Sequence, residues 1–257
     1  MGLSGRRALV TGGGRGIGRA VALRLARSGA SVAVASRTHA DVDAVAAEAR
    51  AAGVASLALV ADVARAEDVE GMFRAARAAL GGIDILVCAA GVAPSALVVR
   101  TSDEAWRAAI DTNLSGAFYC IREALPEMIE GRWGRVVVVA SIAAKTGYPY
   151  VAAYAASKHG VLGLVKCAAL EVADKGVTVN AVCPGYVDTP MTEASIARIV
   201  EKTGRPAPEL RRRLEEMSPQ KRLMTAEEVA GLVSYLCGEE ARGITGQGLS
   251  LDGGTVV

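Results

Sequence analysis

Three side chains of this sequence have the types and spacing needed for proton transfer to an oxygen atom. Tyr154 and Lys158 are four residues apart in a segment with helical periodicity, so both lie on one face of a helix, one turn apart. A free tyrosine has a pKa of about 10, and a nearby ammonium favours its phenolate form. Ser141 follows an apolar run at 136–140, where its hydroxyl could polarise a carbonyl. Taken singly, each of these residues is more often structural than catalytic.

Glycines near the start of the chain form a second candidate site. The segment Thr11–Gly18 reads TGGGRGIG and stands between a short apolar run and an amphipathic stretch. Glycines let backbone N–H groups approach a pyrophosphate, and the N-terminus of the following helix adds its positive dipole. A P-loop is the poorer interpretation because no Gly-Lys-Ser/Thr closes the segment. The pattern predicts a dinucleotide site, with a tight structural turn as the alternative, formed by Gly12, Arg15, Gly16, Ile17 and Gly18.

The residues at the end of the second predicted strand indicate which of the two nicotinamide cofactors binds. A protein that binds NAD normally has an acidic residue there for the ribose hydroxyls, whereas this chain has Ser36 and Arg37. Arg15 and Arg37 would both donate charge-assisted hydrogen bonds to a 2′-phosphate. We therefore predict NADP(H) as the cofactor. The alternative is that both arginines are solvated surface charges.

The elements that must position these residues alternate along the chain. Aliphatic runs predict strands at 8–11, 31–36, 56–61, 83–89, 136–140, 177–182 and 248–251. Amphipathic stretches predict helices at 16–28, 40–52, 67–80, 101–129, 151–173 and 225–237, with capping boxes at Thr101/Glu104 and Thr225/Glu228. Two-sided apolar strands are typical of parallel sheets covered by helices on both faces. The chain is therefore predicted to be one α/β domain, 1–257, with a doubly wound, Rossmann-type parallel sheet of about seven strands.

Composition narrows the class of protein. The net charge is +2, from 29 basic and 27 acidic residues, which does not favour a nucleic-acid surface. The longest uncharged run, 85–99, is shorter than the roughly 17–25 residues that span a bilayer. The five cysteines include no Cys-x-x-Cys pair and are accompanied by only two histidines, so we predict buried thiols, no metal site and a reducing compartment. Residues 1–10 hold no secretory signal, and a cytoplasmic, soluble protein is expected.

Residues 190–222 depart from the alternation. The segment holds four prolines and eight basic residues against five acidic ones, and it is too long for an ordinary connection. We predict that it is a lid that covers the substrate site; the alternative is a solvated helical excursion. Arg211, Arg212 and Arg213 could attract an anionic substrate, although a charge run at helical spacing is more often a solvated face.

Together, the motifs resemble those of the short-chain dehydrogenase/reductase family, of the type that contains 3-oxoacyl-acyl-carrier-protein reductases, polyketide ketoreductases and related hydroxyacyl and sugar dehydrogenases. They run through almost the whole chain in the family's order. The matching pieces are Thr11–Gly18, Asp62-Val63, Asn113, Ser141, Tyr154 with Lys158, Asn180–Gly185, Gly246-Gln247 and Asp252–Gly254.

The resemblance implies a role for each matching residue. Tyr154 would protonate the substrate oxygen as hydride arrives from the nicotinamide, and Ser141 would orient the carbonyl. Lys158 would lower the pKa of Tyr154 and hold the nicotinamide ribose. Asn113 would kink its helix and hold a water that links Lys158 to solvent. The resemblance also implies cofactor contacts from Asp62 and Val63 at the adenine, from Ala90 and Gly91 at a ribose, and from Pro184, Gly185, Val187 and Thr189 at the nicotinamide and pyrophosphate.

One segment departs from the family pattern. Where the family usually has Asn-Asn-Ala-Gly, this chain has Cys88-Ala89-Ala90-Gly91. The missing amide side chains remove hydrogen bonds that brace neighbouring strands. This departure bears on local rigidity more than on chemistry.

Several substrates fit the same machinery. We predict that NADPH reduces a 3-oxoacyl thioester, carried by acyl carrier protein or coenzyme A, to the 3-hydroxyacyl product. The alternatives are a free small alcohol or ketone, such as a sugar, cyclic alcohol or hydroxy acid, and a cofactor-sensing module without catalysis. Arg132 and Lys175 fall where similar reductases dock the acidic carrier, though charges that complement helix dipoles explain them equally well. The resemblance also implies a homotetramer paired through the long helices and the last strand.

Overall fold

Seven short parallel strands form the sheet in this computed structural model, which describes residues 2–256. They are β1 (Arg7–Thr11), β2 (Ser31–Ser36), β3 (Ser56–Val60), β4 (Ile85–Cys88), β5 (Gly134–Val139), β6 (Val177–Pro184) and β7 (Gly248–Leu251). Their order is β3-β2-β1-β4-β5-β6-β7, and every pair is parallel. The predicted doubly wound Rossmann-type fold is confirmed. Met1 and Val257, the ends of the predicted domain, lie outside the described residues.

The helices cover both faces of the sheet. They are α1 (Gly16–Arg27), α2 (His39–Ala51), α3 (Ala66–Leu80), α4 (Asp103–Ile110), α5 (Gly116–Glu130), α6 (Ala152–Val172), α7 (Pro190–Thr203), α8 (Ala207–Met217) and α9 (Ala226–Leu236). Apolar side chains of α3, α5 and α6 fill the core on one face, and those of α1, α2 and α9 fill the core on the other. Successive strand residues alternate between the two cores: Leu9 enters the first and Val10 the second. This two-sided burial explains why the central strands are apolar throughout.

The helix predicted over 101–129 is interrupted, and its predicted capping box is wrong. Ser102, not Thr101, is the N-cap: its Oγ accepts from the backbone N–H of Ala105 at 3.2 Å, while the Thr101 hydroxyl donates to Leu97 O. A preceding turn of 3₁₀ helix at 98–100 places the helix start one residue later than the pattern indicates. Between α4 and α5, the residues Asp111–Ser115 form a π-helical turn. The second capping box, Thr225 with Glu228, is confirmed.

The cysteines are not all buried as predicted. Cys88, Cys120, Cys183 and Cys237 are buried, but Cys167 is exposed because it lies on the outer face of α6. All five are free thiols. Among residues 2–256, no three or more His, Cys, Asp or Glu side chains are grouped so that they could hold a metal ion. No helix within this range is long and apolar enough to cross a membrane.

Residues 190–222 fold as two helices, α7 and α8, followed by a turn. The arginine run that could have formed a free positive surface is instead neutralised. Arg211 contacts the carboxylates of Asp188 and Glu193, at 2.5 and 2.6 Å. Its neighbours on α8 also have carboxylate partners, Glu216 for Arg212 and Glu209 for Arg213, one helical turn away. The run is therefore a solvated, charge-balanced helix face, which is the alternative that its helical spacing favoured.

Candidate active site

The carboxyl edge of the sheet is where the predicted site residues meet, as expected of an open parallel sheet. The glycine segment follows β1, and further candidates follow β2, β3, β4, β5 and β6. In that order they are Ser36 and Arg37, Asp62 and Val63, Ala90 and Gly91, Ser141, and the group Pro184, Gly185, Val187 and Thr189. Asn113 comes from the π turn, and Tyr154 and Lys158 come from α6.

The glycine segment is shaped to receive a diphosphate. Gly12 has a φ of +65°, and a side chain there would bring its Cβ within 2.5 Å of the backbone nitrogen of Ala90. A Cβ on Gly18 would overlap the carbonyl of Gly12. Helix α1 starts after Arg15, which makes no side-chain cap, so its first-turn N–H groups have no intrahelical or side-chain partner. This arrangement fits a dinucleotide phosphate at the helix N-terminus.

The residues that would distinguish NADP from NAD lie on the surface beside this segment. Ser36 ends β2, and its Oγ lies 3.3 Å from the backbone nitrogen of Thr38. The side chain of Arg37 is 64% exposed, with its Nη1 at 3.9 Å from Asp62 Oδ2. Arg15 is also exposed. A long, exposed ion pair of this kind is weak, so Arg37 retains most of its capacity to bind an anion.

Tyr154, Lys158 and Ser141 lie together at the carboxyl end of β5. The Nζ of Lys158 is buried, donates to Val139 O at 2.8 Å and lies 5.7 Å from the centre of the Tyr154 ring. Burial lowers the pKa of Lys158 to about 8. Burial raises the pKa of Tyr154, and a hydrogen bond from Ser141 partly opposes that rise. In this structure, therefore, Tyr154 is a protonated acid at neutral pH rather than a phenolate.

Asn113 connects the π turn to two other parts of the site. Its Oδ1 accepts from the N–H of Val92 at 2.8 Å, and its Nδ2 donates to Val92 O at 2.9 Å. The same Nδ2 donates to Ser157 Oγ at 2.9 Å, and Ser157 in turn donates to the carbonyl of Tyr154 at 2.7 Å. Sequence reasoning missed Ser157 as a site residue. Its position three residues after Tyr154, on the same helix face, was the available signal.

A small cavity lies between Asn113 and Lys158. Its volume is about 10 Å³, close to the space of one water molecule, and Thr11, Cys88 and Val139 complete much of its wall. The π turn beside it replaces the regular α-helical hydrogen-bond pattern around Asn113. The cavity and the turn together fit the expected water position next to Lys158.

Thiols occupy the place where the family usually has an asparagine. Cys88 is buried at the end of β4, beside the buried thiol of Cys120 on α5. This contact and burial raise the pKa of Cys120. The β4 to α5 connection at this point is therefore a contact between two thiols, without the amide that the family usually has there.

Comparison with known proteins identifies the family. A family model described as enoyl-(acyl carrier protein) reductase matches residues 12–256, which contain every predicted site residue. The chain belongs to the short-chain dehydrogenase/reductase family. It is accordingly an oxidoreductase of that family. The family assignment confirms the resemblance seen in its motifs.

Relatives within the short-chain dehydrogenase/reductase family cover almost the whole chain. The 3-oxoacyl-[acyl-carrier-protein] reductase FabG of Staphylococcus epidermidis is 39% identical over 248 residues, 96% of this chain and 97% of that protein. The D-beta-hydroxybutyrate dehydrogenase of Cupriavidus necator is 39% identical over 257 residues, 99% of each chain. A crystal structure of a tryptophan variant of actinorhodin polyketide ketoreductase with NADPH has a TM-score of 0.94 and 36% identity, covering 99% of each chain.

Proposed function

We propose that this chain reduces the 3-oxo group of an acyl thioester with NADPH. The observation that carries the proposal is the grouping of Tyr154, the Ser141 hydroxyl and the buried Lys158 side chain at the end of β5, beside the glycine segment. A neutral tyrosine acid and a hydroxyl donor are the groups that carbonyl reduction requires. A module that only sensed a cofactor would not need them.

In the proposed mechanism, each residue acts on the substrate or on a proton. Bound NADPH supplies the hydride to the carbonyl carbon. Ser141 donates a hydrogen bond to the carbonyl oxygen and polarises it, and Tyr154 transfers its phenolic proton to that oxygen. Lys158 binds the nicotinamide ribose and favours the resulting phenolate through its positive charge. Asn113 holds the water that resupplies the proton through Lys158, in the small cavity between them.

The remaining candidates are proposed to bind the cofactor. Gly12, Gly16, Ile17 and Gly18 approach the diphosphate, and Ala90 and Gly91 let a ribose contact the backbone. Asp62 and Val63 border the adenine. Pro184, Gly185, Val187 and Thr189 line the nicotinamide and diphosphate. A Cβ on Gly16 would lie 3.5 Å from that of Thr189, so the β6 loop is close to the glycine segment.

We propose NADP(H) over NAD(H) on the basis of Arg15, Ser36 and Arg37. The end of β2 bears a serine rather than a carboxylate, and the two exposed guanidinium groups suit a 2′-phosphate. A structural neighbour solved with NADPH supports the same choice. The Arg37–Asp62 contact would be exchanged for the phosphate on binding.

The relatives direct the proposal towards a 3-oxoacyl substrate. Although the matching family model carries an enoyl description, the FabG relative is named for reducing the 3-oxo group, which suits an alcohol-forming acid such as Tyr154. The hydroxybutyrate dehydrogenase relative supports a free hydroxy acid as the second candidate.

The predicted carrier-docking residues are neighbours in the structure. Arg132 Nη2 donates to Asp174 O at 3.0 Å, and Lys175 Nζ contacts Asp174 Oδ2 at 2.7 Å. We propose this surface for acyl carrier protein, and a homotetramer in the cytoplasm as the working form. The exposed Phe118 on α5 and Leu170 on α6, which is 81% exposed, support pairing through the long helices. The segment 190–222 is proposed to cover the substrate site.

A substrate panel tests the proposed function. Acetoacetyl-CoA, acetoacetate, cyclic ketones and sugars would be assayed with NADPH and with NADH, and the reverse reactions with the alcohols. We expect the highest kcat/KM with acetoacetyl-CoA and NADPH. Turnover confined to free ketones would reject the thioester assignment. The Tyr154→Phe variant should lose at least about 100-fold in kcat while binding NADPH normally. Unchanged kcat would reject the mechanism.

A further inference from the structure

A cavity of about 210 Å³ lies beside the first turn of α6, and none of the residues discussed above as catalytic or cofactor-binding lines it. Its wall is formed by residues 94–96 after β4, by residues 100–102 with Ala105 at the start of α4, by the residues before and within the first turn of α6, and by Arg198 of α7. Ala152 and Ala153 line the cavity and directly precede Tyr154. The cavity therefore borders the helix turn that carries the candidate acid.

Two arginines, Arg100 and Arg198, are among the residues that line this cavity. Arg198 Nη2 lies 3.4 Å from Ala93 O and 3.1 Å from Ser195 Oγ, and Arg100 lines the cavity from the end of the 3₁₀ turn at 98–100. Across residues 2–256, neither arginine has an acidic oxygen within 4.0 Å. No acidic side chain lines the cavity wall in that range. This differs from Arg211, whose guanidinium is shared among carboxylates.

The other walls of the cavity also favour a negatively charged ligand. Helix α6 begins without a side-chain cap, so N–H groups of its first turn lack intrahelical partners beside the cavity. Tyr150, a lining residue, has a φ of +70°, which a bulky side chain rarely adopts. Its carbonyl accepts from the N–H of Ala96 at 2.8 Å, and this bond holds the two walls together. Backbone strain of this kind is concentrated at ligand-binding sites.

We propose that this cavity binds an anionic group on the substrate, a phosphate or a carboxylate, through Arg100 and Arg198. This inference rests on the proposed function and deepens it by naming the substrate class: a carbonyl compound with a negatively charged group away from the reacting carbon. Arg198 belongs to α7, so the segment 190–222 contributes a ligand to this subsite through Arg198 rather than through the run at 211–213. The hydrogen bond from Arg198 to Ala93 O joins α7 to the loop after β4.

Two substrate types could supply the anion. A phosphopantetheine thioester carries a phosphate at the end of its arm, and a free 3-oxo acid carries a carboxylate. Both suit a pair of arginines. Direct binding separates them without relying on turnover, provided that the cofactor site is filled so that no nucleotide phosphate is bound there.

The test is calorimetric titration of the NADP-saturated protein with 4′-phosphopantetheine, with pantetheine and with acetoacetate. Variants Arg100→Ala and Arg198→Ala would be compared with the parent, with Arg198→Lys to retain the charge, and with Arg24→Ala as a control for an exposed arginine on α1. We expect each alanine variant to bind 4′-phosphopantetheine or acetoacetate, whichever anion the parent binds, about 10-fold more weakly. The loss of one charge-assisted hydrogen bond has an effect of this size. Circular dichroism would establish that every variant is folded.

The outcomes are distinct. Loss of affinity for 4′-phosphopantetheine but not for pantetheine assigns the subsite to a phosphate, and loss for acetoacetate assigns it to a carboxylate. Equal affinities in the parent and both alanine variants, or no binding of either anion to the parent, overturn the inference. The proposed function fails separately. If the protein binds the anion but reduces no carbonyl compound, the anion subsite stands and the proposed reaction is rejected. In kinetics, the same variants should lower by about 10-fold the kcat/KM ratio of acetoacetyl-CoA to the uncharged N-acetylcysteamine thioester.

Discussion

The side-chain amide of Asn113 and the hydroxyl of Ser157 are joined by a 2.9 Å hydrogen bond in the interior. Because Ser157 also donates to the carbonyl of Tyr154, one serine links the π turn to the first turns of α6. The candidate proton relay and the candidate acid thus belong to one hydrogen-bonded unit.

Replacing Ser157 with alanine tests this link. We expect the free energy of unfolding to fall by about 1–3 kcal/mol, because the buried carbonyl of Tyr154 and one N–H of Asn113 lose a partner. We also expect kcat to fall more than KM rises, since the substrate is not contacted. Urea denaturation and steady-state kinetics measure both. The control is Ser28→Ala, which removes a hydroxyl near the surface at the end of α1. Equal stabilities of the two variants would contradict the prediction.

Cofactor choice should depend on Arg37. The Arg37→Ala variant is expected to bind NADPH about 10-fold more weakly and NADH unchanged, because only NADPH offers a 2′-phosphate to the guanidinium. Arg15→Ala should behave in the same way. Fluorescence titration with both cofactors gives the affinities. Arg74→Ala, an exposed arginine on α3, provides the matched control. An equal loss for both cofactors would show that Arg37 acts elsewhere.

The pKa of Lys158 should set the upper pH limit of cofactor binding. Burial lowers it to about 8 in the free protein, so the ammonium proposed to bind the ribose is lost as the pH rises through that value. We expect kcat/KM for NADPH to fall above about pH 8, because this parameter reports the free enzyme. The Lys158→Arg variant, which stays charged, should lack that fall even if its activity is lower. A profile that is flat to about pH 10 would contradict the assignment.

Deprotonation of Lys158 should have the opposite effect on protein stability: stability should rise with pH where cofactor binding falls. The folded pKa of Lys158 is about 8 and its ordinary value is 10.5. Between those values the unfolded chain binds a proton that the folded chain lacks, so this group makes the folded state more stable as the pH rises. Thermal unfolding of the parent and of Lys158→Met over that interval isolates the contribution. The difference in Tm between the two proteins should change across it.

The capping box of α9 predicts an acid-dependent loss of stability. A hydrogen bond from Arg222 has the largest effect on the pKa of Glu228, and one from the N–H of Thr225 has the next largest. Together they lower this pKa from 4.5 to about 2. The stabilisation is fully present above pH 4.5 and is lost as the pH falls towards 2. Glu228→Gln should therefore cost about 1 kcal/mol at neutral pH, and its difference from the parent should shrink below pH 4.5. Glu227→Gln, at the preceding and exposed position, is the control; urea denaturation measures both variants.

Patterns within a few residues of sequence were enough to predict the seven strands, the sheet class and the family. Aliphatic runs, helical periodicity and the caps at Thr225 and Glu228 depend on short-range geometry, and they agree with the structure to within a few residues. The same holds for Gly12 and Gly18, because a tight approach of backbone to backbone excludes any side chain. The start of α4 at Ser102 was missed because neighbouring Thr101 also has a capping hydroxyl, and the preceding 3₁₀ turn selects between them.

Tertiary structure alone decided which distant side chains meet and which are removed from water. Ser157 lies 44 residues from Asn113 in the chain, and its role arises only where α6 crosses the π turn. Arg211 is neutralised by Asp188, from the segment before α7, whereas Arg100 and Arg198 are brought to one cavity without an acid. Burial, which sets the pKa of Tyr154 and of Lys158, depends on the surrounding elements. Residue type and spacing therefore predict the candidate chemistry, but the packing of separate elements sets the protonation and the pairing of the charged side chains.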